Sequence, residues 1–292
     1  MNLFGGIECG GTSFVCAIGD GPTDIVSEIR FATTTPTETL SRAVEYFRSE
    51  GPVSAVGIAS FGPVDLDRSS TTYGYITTTP KPGWGGVDVV GYISRELAVP
   101  VGWDTDVNAT ALAEHRWGHV VGLDTFVYIT VGTGIGGGAL VEGRPMHGLV
   151  HPEMGHMRVP RDPNDGYPGH CPYHGDCLEG LACGPAIQQR WDVPPEELPD
   201  DHLAWELEAQ YLAAGLANIV FTLSPHRIVI GGGVMRRSIL FPLVRQKLLA
   251  QLANYVQASA LVDDIDSYVV PPALGDRAGV LGAIALAKDS VR

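Results

Sequence analysis

Residues 125–141 read TFVYITVGTGIGGGALV. A β-branched and aromatic run, Thr125–Val131, meets the turn Gly132-Thr133-Gly134-Ile135-Gly136-Gly137 and returns through Gly138–Val141. Runs of this kind broken by glycine read as two strands and a tight turn. The chain opens the same way: Leu3–Glu8, the turn Cys9-Gly10-Gly11-Thr12, then Phe14–Gly19. Each unit closes on an acidic glycine turn, Gly19-Asp20-Gly21 in one and Glu142-Gly143 in the other. The repeat predicts two similar lobes that face each other and clamp a nucleotide between paired phosphate turns.

Working outward, a third strand is expected at Ile25–Thr33, then a helix with Thr35 as N-cap, Pro36 in the first turn and Glu38 completing a capping box. Ala55–Ser60 reads as a buried strand, Asp88–Leu97 as a helix and Val101–Asp104 as a strand. The run Asp104-Thr105-Asp106-Val107-Asn108 opens a helix to about Trp117. Later elements are helices at Gly184–Trp191, from an Asp200 or Asp201 cap to Leu223, at about 239–252 and at about 278–288. Strands are expected at Arg227–Ile230 and Ser267–Val270. Strands alternating with helices mean an α/β fold. A chain of 292 residues lies near the size at which single cores stop growing. The expected division is an N-terminal small lobe, 1–103, which the helix at 278–292 can complete, and a large lobe, 104–277.

With 45% hydrophobic and 18% charged residues the chain can bury a large core. Its net charge of −14 argues against nucleic acid, whose phosphates need clustered Lys and Arg. A nucleotide bound by so acidic a protein calls for Mg²⁺. No membrane span is expected, because no run reaches 18 apolar residues. Five cysteines give no disulfide framework, so a reducing, cytoplasmic setting is the default.

The stretch 150–179 reads VHPEMGHMRVPRDPNDGYPGHCPYHGDCLE. Cys171, His174 and Cys177 follow Cys-x-x-His-x-x-Cys spacing, with His156 or His170 as a fourth ligand; two thiolates and two imidazoles suit tetrahedral Zn²⁺. A metal here would fix Glu153 and Glu179, the carboxylates on either side, to hold a polyol. The competing reading is a disordered loop with incidental Cys and His.

Three glycine groups follow strands: Gly10-Gly11-Thr12, Gly132–Gly138 and Gly231-Gly232-Gly233. Glycine lets backbone N–H groups approach a phosphate without a Cβ in the way. None is a P-loop, and Gly132-x-Gly134-x-x-Gly137 precedes a strand rather than a helix, so it is no dinucleotide fingerprint. Asp106 is the candidate base for phosphoryl transfer, which needs little more than in-line positioning, a proton acceptor and charge neutralisation. The alternative is that Asp106 only caps its helix, with Asp104 as its competitor.

Glu8-Cys-Gly-Gly-Thr12, Ser60-Phe-Gly-Pro-Val-Asp65, Asp106-x-Asn108, Gly132–Gly138, Glu153-x-Gly-His156 and Cys177-Leu-Glu179 stand in the order seen in ROK-family sugar kinases. The chain resembles that family over essentially its whole length. Thr79-Pro-Lys-Pro-Gly-Trp84 and Cys171-Pro-Tyr-His-Gly-Asp-Cys-Leu-Glu-Gly180 look most like its fructokinase branch. The resemblance implies a two-lobed actin-like ATPase (ribonuclease H-like) fold with duplicated lobes, a zinc-binding loop and ATP–Mg²⁺. It implies Asp106 as general base, and Glu153, His156, Glu179, Asn108 and Gly62 on the sugar. Gly10, Gly11 and Thr12 would form one phosphate loop and Gly132, Thr133, Gly134 and Gly136 the other, with Gly231, Gly232 and Gly233 against adenosine. His156 would join Cys171, His174 and Cys177 on zinc, and the chain would be a homodimer that converts D-fructose to fructose 6-phosphate. The alternatives are a kinase for glucose, mannose or an N-acetylated hexosamine, or a sugar-responsive regulator. Regulators of the family carry an N-terminal helix-turn-helix, whereas the first strand here is expected at about Leu3. The chain departs from the family pattern at Thr105 (often Asn), Ser13 (often Lys), Glu8 (usually Asp) and His174 (Cys in the three-Cys form).

Overall fold

Phe14, Cys16 and Ile18 pack into one hydrophobic cluster while Val15 and Ala17 pack into another. That is the period-two alternation of a strand buried on both faces. The computed structural model of the protein describes residues 3–292. Its main elements are β1 (Phe4–Cys9), β2 (Ser13–Gly19), β3 (Ile25–Ala32), α1 (Pro36–Glu50), β4 (Val56–Ser60), α2 (Val89–Leu97), β5 (Val101–Thr105), α3 (Asp106–Trp117), β6 (Phe126–Val131), β7 (Ile135–Val141), α4 (Leu178–Ala182), α5 (Gly184–Trp191), α6 (Leu203–Leu223), β8 (Ile228–Gly231), α7 (Leu240–Leu252), β9 (Val269–Val270) and α8 (Ala278–Asp289). The chain forms two compact units.

The first unit takes the chain through Gly122, with residues 144–152 and 273–292. Its sheet runs β3-β2-β1-β4-β5: β1–β2 and β2–β3 are antiparallel, β1–β4 and β4–β5 parallel. On one face Leu40, Val44 and Phe47 of α1 and Ile93 of α2 join Ile7, Phe14 and Ile58. On the other, α8 lies close enough that a Cβ at Gly57 would fall 1.8 Å from the Ala283 carbonyl oxygen. A Cβ at Gly282 would fall 2.2 Å from the Ala109 carbonyl oxygen, so α8 and α3 meet backbone to backbone. The order of elements predicts a boundary after residue 103; the unit continues through α3, because small residues on α3 and α8 seat the two helices against each other.

The second unit holds residues 123–143 and 153–272. Within it β7-β6-β8-β9 form a sheet, with β6–β7 antiparallel and β6–β8 and β8–β9 parallel. α6 packs on α7 and α4. The returning strand starts at Ile135, three residues before the position expected: Gly136, Gly137 and Gly138 pair with Thr130, Ile129 and Tyr128. A Cβ at Gly137 would meet Met154 Sδ at 2.6 Å, so glycine there makes room for the chain lying on the strand. α6 is capped by His202, whose Nδ1 accepts from Ala204 N at 3.1 Å, not by Asp200 or Asp201. Of the expected strand 267–270 only Val269–Val270 is extended, since Ile265–Tyr268 is a helical turn.

Candidate functional site

Thr105 ends β5, and its hydroxyl caps α3 by accepting from Asn108 N at 3.2 Å. The capping role is therefore filled by a residue other than Asp106 or Asp104. Asp106 opens the helix, partly exposed, with Oδ1 accepting from Val107 N at 2.8 Å. Asp104 is 2% exposed and anchors its surroundings. Its Oδ1 accepts from Thr105 N at 2.7 Å and Asn108 Nδ2 at 2.8 Å, and its Oδ2 lies 2.9 Å from His147 Nε2. Asn108 is thus buried behind Asp106, with its Oδ1 unpartnered.

Sequence reasoning missed two residues here. The Asp104 contact holds His147 above the ordinary imidazole range. His151 Nε2 accepts from Val64 N at 3.0 Å and lies beside Gly62, where a Cβ would come 3.2 Å from its ring. Burial lowers its pKa, leaving a neutral acceptor. Two histidines four residues apart in MHGLVH were the available signal.

Glu8, at the end of β1, has its pKa raised to about 7, first by burial and then by Asp106. Its Oε2 is buried without a hydrogen-bond partner. A buried, orphaned carboxylate oxygen close to a second carboxylate is a donor set that suits a hard divalent cation. The adjoining turn is tied back by its carbonyls. Gly10 O accepts from Thr33 Oγ1 at 2.7 Å, Thr12 O accepts from Thr33 N at 2.9 Å, and Gly11 O accepts from the Lys81 ammonium. A Cβ at Gly11 would meet nothing within 4 Å, so the turn has an open side.

In the second unit the turn at residues 132–134 closes with Gly132 N donating to Gly134 O at 2.9 Å; Gly132 O accepts from Gly184 N at 2.7 Å. Ile135 N donates to Glu179 Oε2 at 2.9 Å, and a Cβ at Gly134 would lie 2.5 Å from that oxygen. Thr133 is exposed at the tip, and Gly136 already belongs to the strand. A Cβ at Gly132 would lie 3.9 Å from Gly233 N, and Gly232 has φ +95°, so the second and third glycine groups come together beside Gly231.

His156, Cys171, His174 and Cys177 offer ligand atoms that all lie within 4.8 Å of one another. His156 Nδ1 is 3.3 Å from His174 Nδ1, 3.7 Å from Cys171 Sγ and 3.5 Å from Cys177 Sγ, and Cys171 Sγ is 3.6 Å from His174 Nδ1. Metal–ligand bonds of about 2.05 Å to nitrogen and about 2.3 Å to sulfur give tetrahedral edges of about 3.3 Å for N–N and about 3.6 Å for S–N. The cluster is compatible with a zinc site; His170 lies outside it, with its N–H on Gly180 O at 2.8 Å. Glu153 begins the turn Met154–His156, with His156 N on its carbonyl at 3.0 Å. Burial, then Glu179, raises the Glu153 pKa to about 7. Leu178 N bonds Met157 O at 2.9 Å, which clips the two ends of the loop together.

The ROK family description matches residues 4–290. A fructokinase of Zymomonas mobilis is 46% identical over 98% of this chain and 96% of its own length. One of Pediococcus pentosaceus is 40% identical over 99% of each. The structure resembles a ROK glucokinase from Streptomyces griseus in complex with glucose and AMPPNP, with TM-score 0.78 and 26% identity over 99% of this chain and 100% of the other. With the match running nearly end to end, the chain belongs to the ROK family.

Proposed function

We propose that the chain transfers the γ-phosphoryl group of ATP to a hexose, with D-fructose as substrate and O6 as acceptor. The observation that carries this reading is the division of labour at the start of α3: Thr105, not Asp106, caps the helix, and Asp106 stands partly exposed at the helix start, close enough to Glu8 to raise its pKa. Asp106 takes the proton of the attacking hydroxyl, an O–P bond forms, and the bond to the β-phosphate oxygen breaks as ADP leaves. The proton ends on the Asp106 carboxylate. Asp104 and His147 hold the strand end from behind. Glu153, His156, Glu179 and Gly62 bind the hexose, whereas Asn108 supports Asp104.

Gly10, Gly11 and Thr12 form the phosphate turn: the Gly10 N–H closes it on Ser13 O at 3.1 Å, and Gly11 and Thr12 offer their N–H groups to phosphate. Gly132, Thr133, Gly134 and Gly136 serve the same nucleotide, and Gly231, Gly232 and Gly233 serve its adenosine. Glu8 and Asp106 would hold Mg²⁺, which neutralises phosphate charge when bound. His156, Cys171, His174 and Cys177 would hold a structural Zn²⁺ that stiffens the loop bearing Glu153 and Glu179. We place the protein in the cytoplasm as a homodimer; among the described residues no helix is long and apolar enough to cross a membrane.

Fructose is preferred because the relatives at 40–46% identity are fructokinases. Glucose is the competing substrate, since the more distant structural relative binds it. A coupled ADP-release assay across fructose, glucose, mannose and N-acetylmannosamine tests the reading. The highest kcat/KM is expected with fructose; no turnover with any hexose would leave a binding protein.

A further inference from the structure

Lys81 stands in the segment Thr79-Pro-Lys-Pro-Gly-Trp84. Prolines on both sides of Lys81 limit its backbone. Three residues on, Trp84 is fully buried, with its Nε1 donating to Thr34 O at 3.0 Å and its ring 5.6 Å from Phe14 and 5.6 Å from Phe61. Phe14 follows the first glycine turn in β2, and Phe61 N bonds Cys9 O at 2.9 Å just before it. The mount of Lys81 and the turn thus share one wall. Trp84 N donates to Lys81 O at 3.2 Å and Lys81 N to Thr79 Oγ1 at 3.3 Å, which folds the segment back on itself. The outcome is that the Lys81 ammonium, from a loop seventy positions further along the chain, rests on Gly11 O.

The turn Gly10-Gly11-Thr12-Ser13 carries no cation of its own. Its surroundings are acidic: Asp106, Glu28 and Asp276 all act on Glu8, with Arg30 opposing them. Arg30 Nη1 donates to Ser13 Oγ at 3.1 Å, at the strand end of the turn. Lys81 is the cation at the glycines themselves. An ammonium has three donors, and one carbonyl engages a single one. A neutral carbonyl is a weak partner compared with a phosphate oxygen, for which charge-assisted bonds are the stronger kind.

We propose that Lys81 is a phosphate-binding residue, whose ammonium moves from Gly11 O to the terminal phosphates of the nucleotide and neutralises the charge that spreads over them during transfer. The inference rests on the phosphoryl-transfer reading above. It makes the loop a lysine arm that completes a turn whose N–H groups bind anions but cannot balance their charge.

The competing role is a strut that ties loop to turn, and nucleotide chain length separates the two. Titration calorimetry of the full chain with AMP, ADP and ATP, each with Mg²⁺ and without sugar, is compared between wild type, Lys81→Met and Lys81→Arg. For Lys81→Met the loss should grow with the phosphate chain, from within about twofold for AMP to about thirtyfold or more for ATP, the scale of a charge-assisted contact. Lys81→Arg should recover most of the ATP affinity. In turnover the loss should lie in kcat/KM for ATP, with KM for fructose unchanged. An equal loss for AMP and ATP, or none for ATP, overturns the proposal. A wild type that fails to bind ATP sinks both readings, whereas one that binds ATP through Lys81 but phosphorylates no hexose sinks only the reaction proposed above.

Discussion

Between Cys9 and Ser13 the first hairpin turns on Gly10-Gly11-Thr12, and between Val131 and Ile135 the second turns on Gly132-Thr133-Gly134. In each case the first strand pairs antiparallel with the returning strand and parallel with a later one, β4 or β8. The side chains that meet the two turns differ in sign. Lys81 rests on Gly11 and Arg30 on Ser13, whereas the second turn meets Glu179 at Ile135 N. One backbone device repeated in a chain thus acquires its task from residues far away in sequence. Cations fit the first turn for charged phosphate. A carboxylate behind the second leaves only neutral amides for the proposed nucleotide, and Gly134 makes room for Glu179, the proposed sugar ligand. The chemistry should then fail through the first unit and hexose affinity through the second.

The largest effect is expected at the strand end beside the first turn. Asp106→Asn keeps size and helix start but removes the proposed proton acceptor, so kcat should fall by about 10³-fold or more, within the range for losing a general base. KM for fructose should stay within about threefold, because the base acts in the transition state rather than in binding. Steady-state kinetics with fructose and ATP make the check, and an unchanged kcat would put the base elsewhere.

Next in size is the metal loop. Cys177→Ser removes one of the four proposed zinc ligands, and a structural site of that kind couples to folding. Zinc content measured by atomic absorption should fall below stoichiometric. KM for fructose should rise by about tenfold or more, on the scale seen when a metal's supporting groups are lost, while KM for ATP changes little. A variant that lost zinc and kept its fructose KM would break the link between loop and sugar.

How much of this was legible beforehand depended on distance along the chain. The alternation of Phe14, Val15, Cys16, Ala17 and Ile18 shows both faces of β2, and the spacing of Cys171, His174 and Cys177 marks three of the four side chains that come together in a cluster able to hold a metal. Both are local patterns. His147 reaches Asp104 across 43 positions and Lys81 reaches Gly11 across 70, and no spacing rule encodes such a meeting. The α6 cap was misplaced by only one residue beyond Asp201, within the usual uncertainty of helix ends. The boundary after 103 failed for another reason. α3 looks like the start of a new lobe by pattern, but its Ala109 lies against Gly282, and only the packing shows which unit owns it.

The two glycines at the tips test the comparison directly. Alanine at Gly11 meets nothing in the protein, so folding should be unharmed; its methyl group occupies the open side, and KM for ATP should rise by about tenfold, roughly 1.4 kcal/mol. Alanine at Gly134 presses on Glu179 Oε2 and displaces it from Ile135 N, so KM for fructose should rise by a similar factor. If both variants changed the same KM, the division between the turns would be lost.

The smallest signal is a proton. Glu8 has a pKa raised to about 7 by burial and by Asp106, against an ordinary carboxyl near 4.5. In the absence of ligand, its contribution to stability is therefore fully present below pH 4.5 and is lost as pH rises through 7, because the folded state holds the proton more tightly. A divalent cation and a lysine arriving with the nucleotide favour the carboxylate instead, so binding at pH 6 must release the proton that Glu8 holds. Calorimetry in buffers of different ionisation heat should show wild type releasing close to one proton more than Glu8→Gln on binding MgATP at pH 6. The difference should vanish by about pH 8.5, where Glu8 is already ionised. Equal release by both proteins at pH 6 would mean that the cation does not sit beside Glu8, and the first turn would then depend on its lysine and arginine alone.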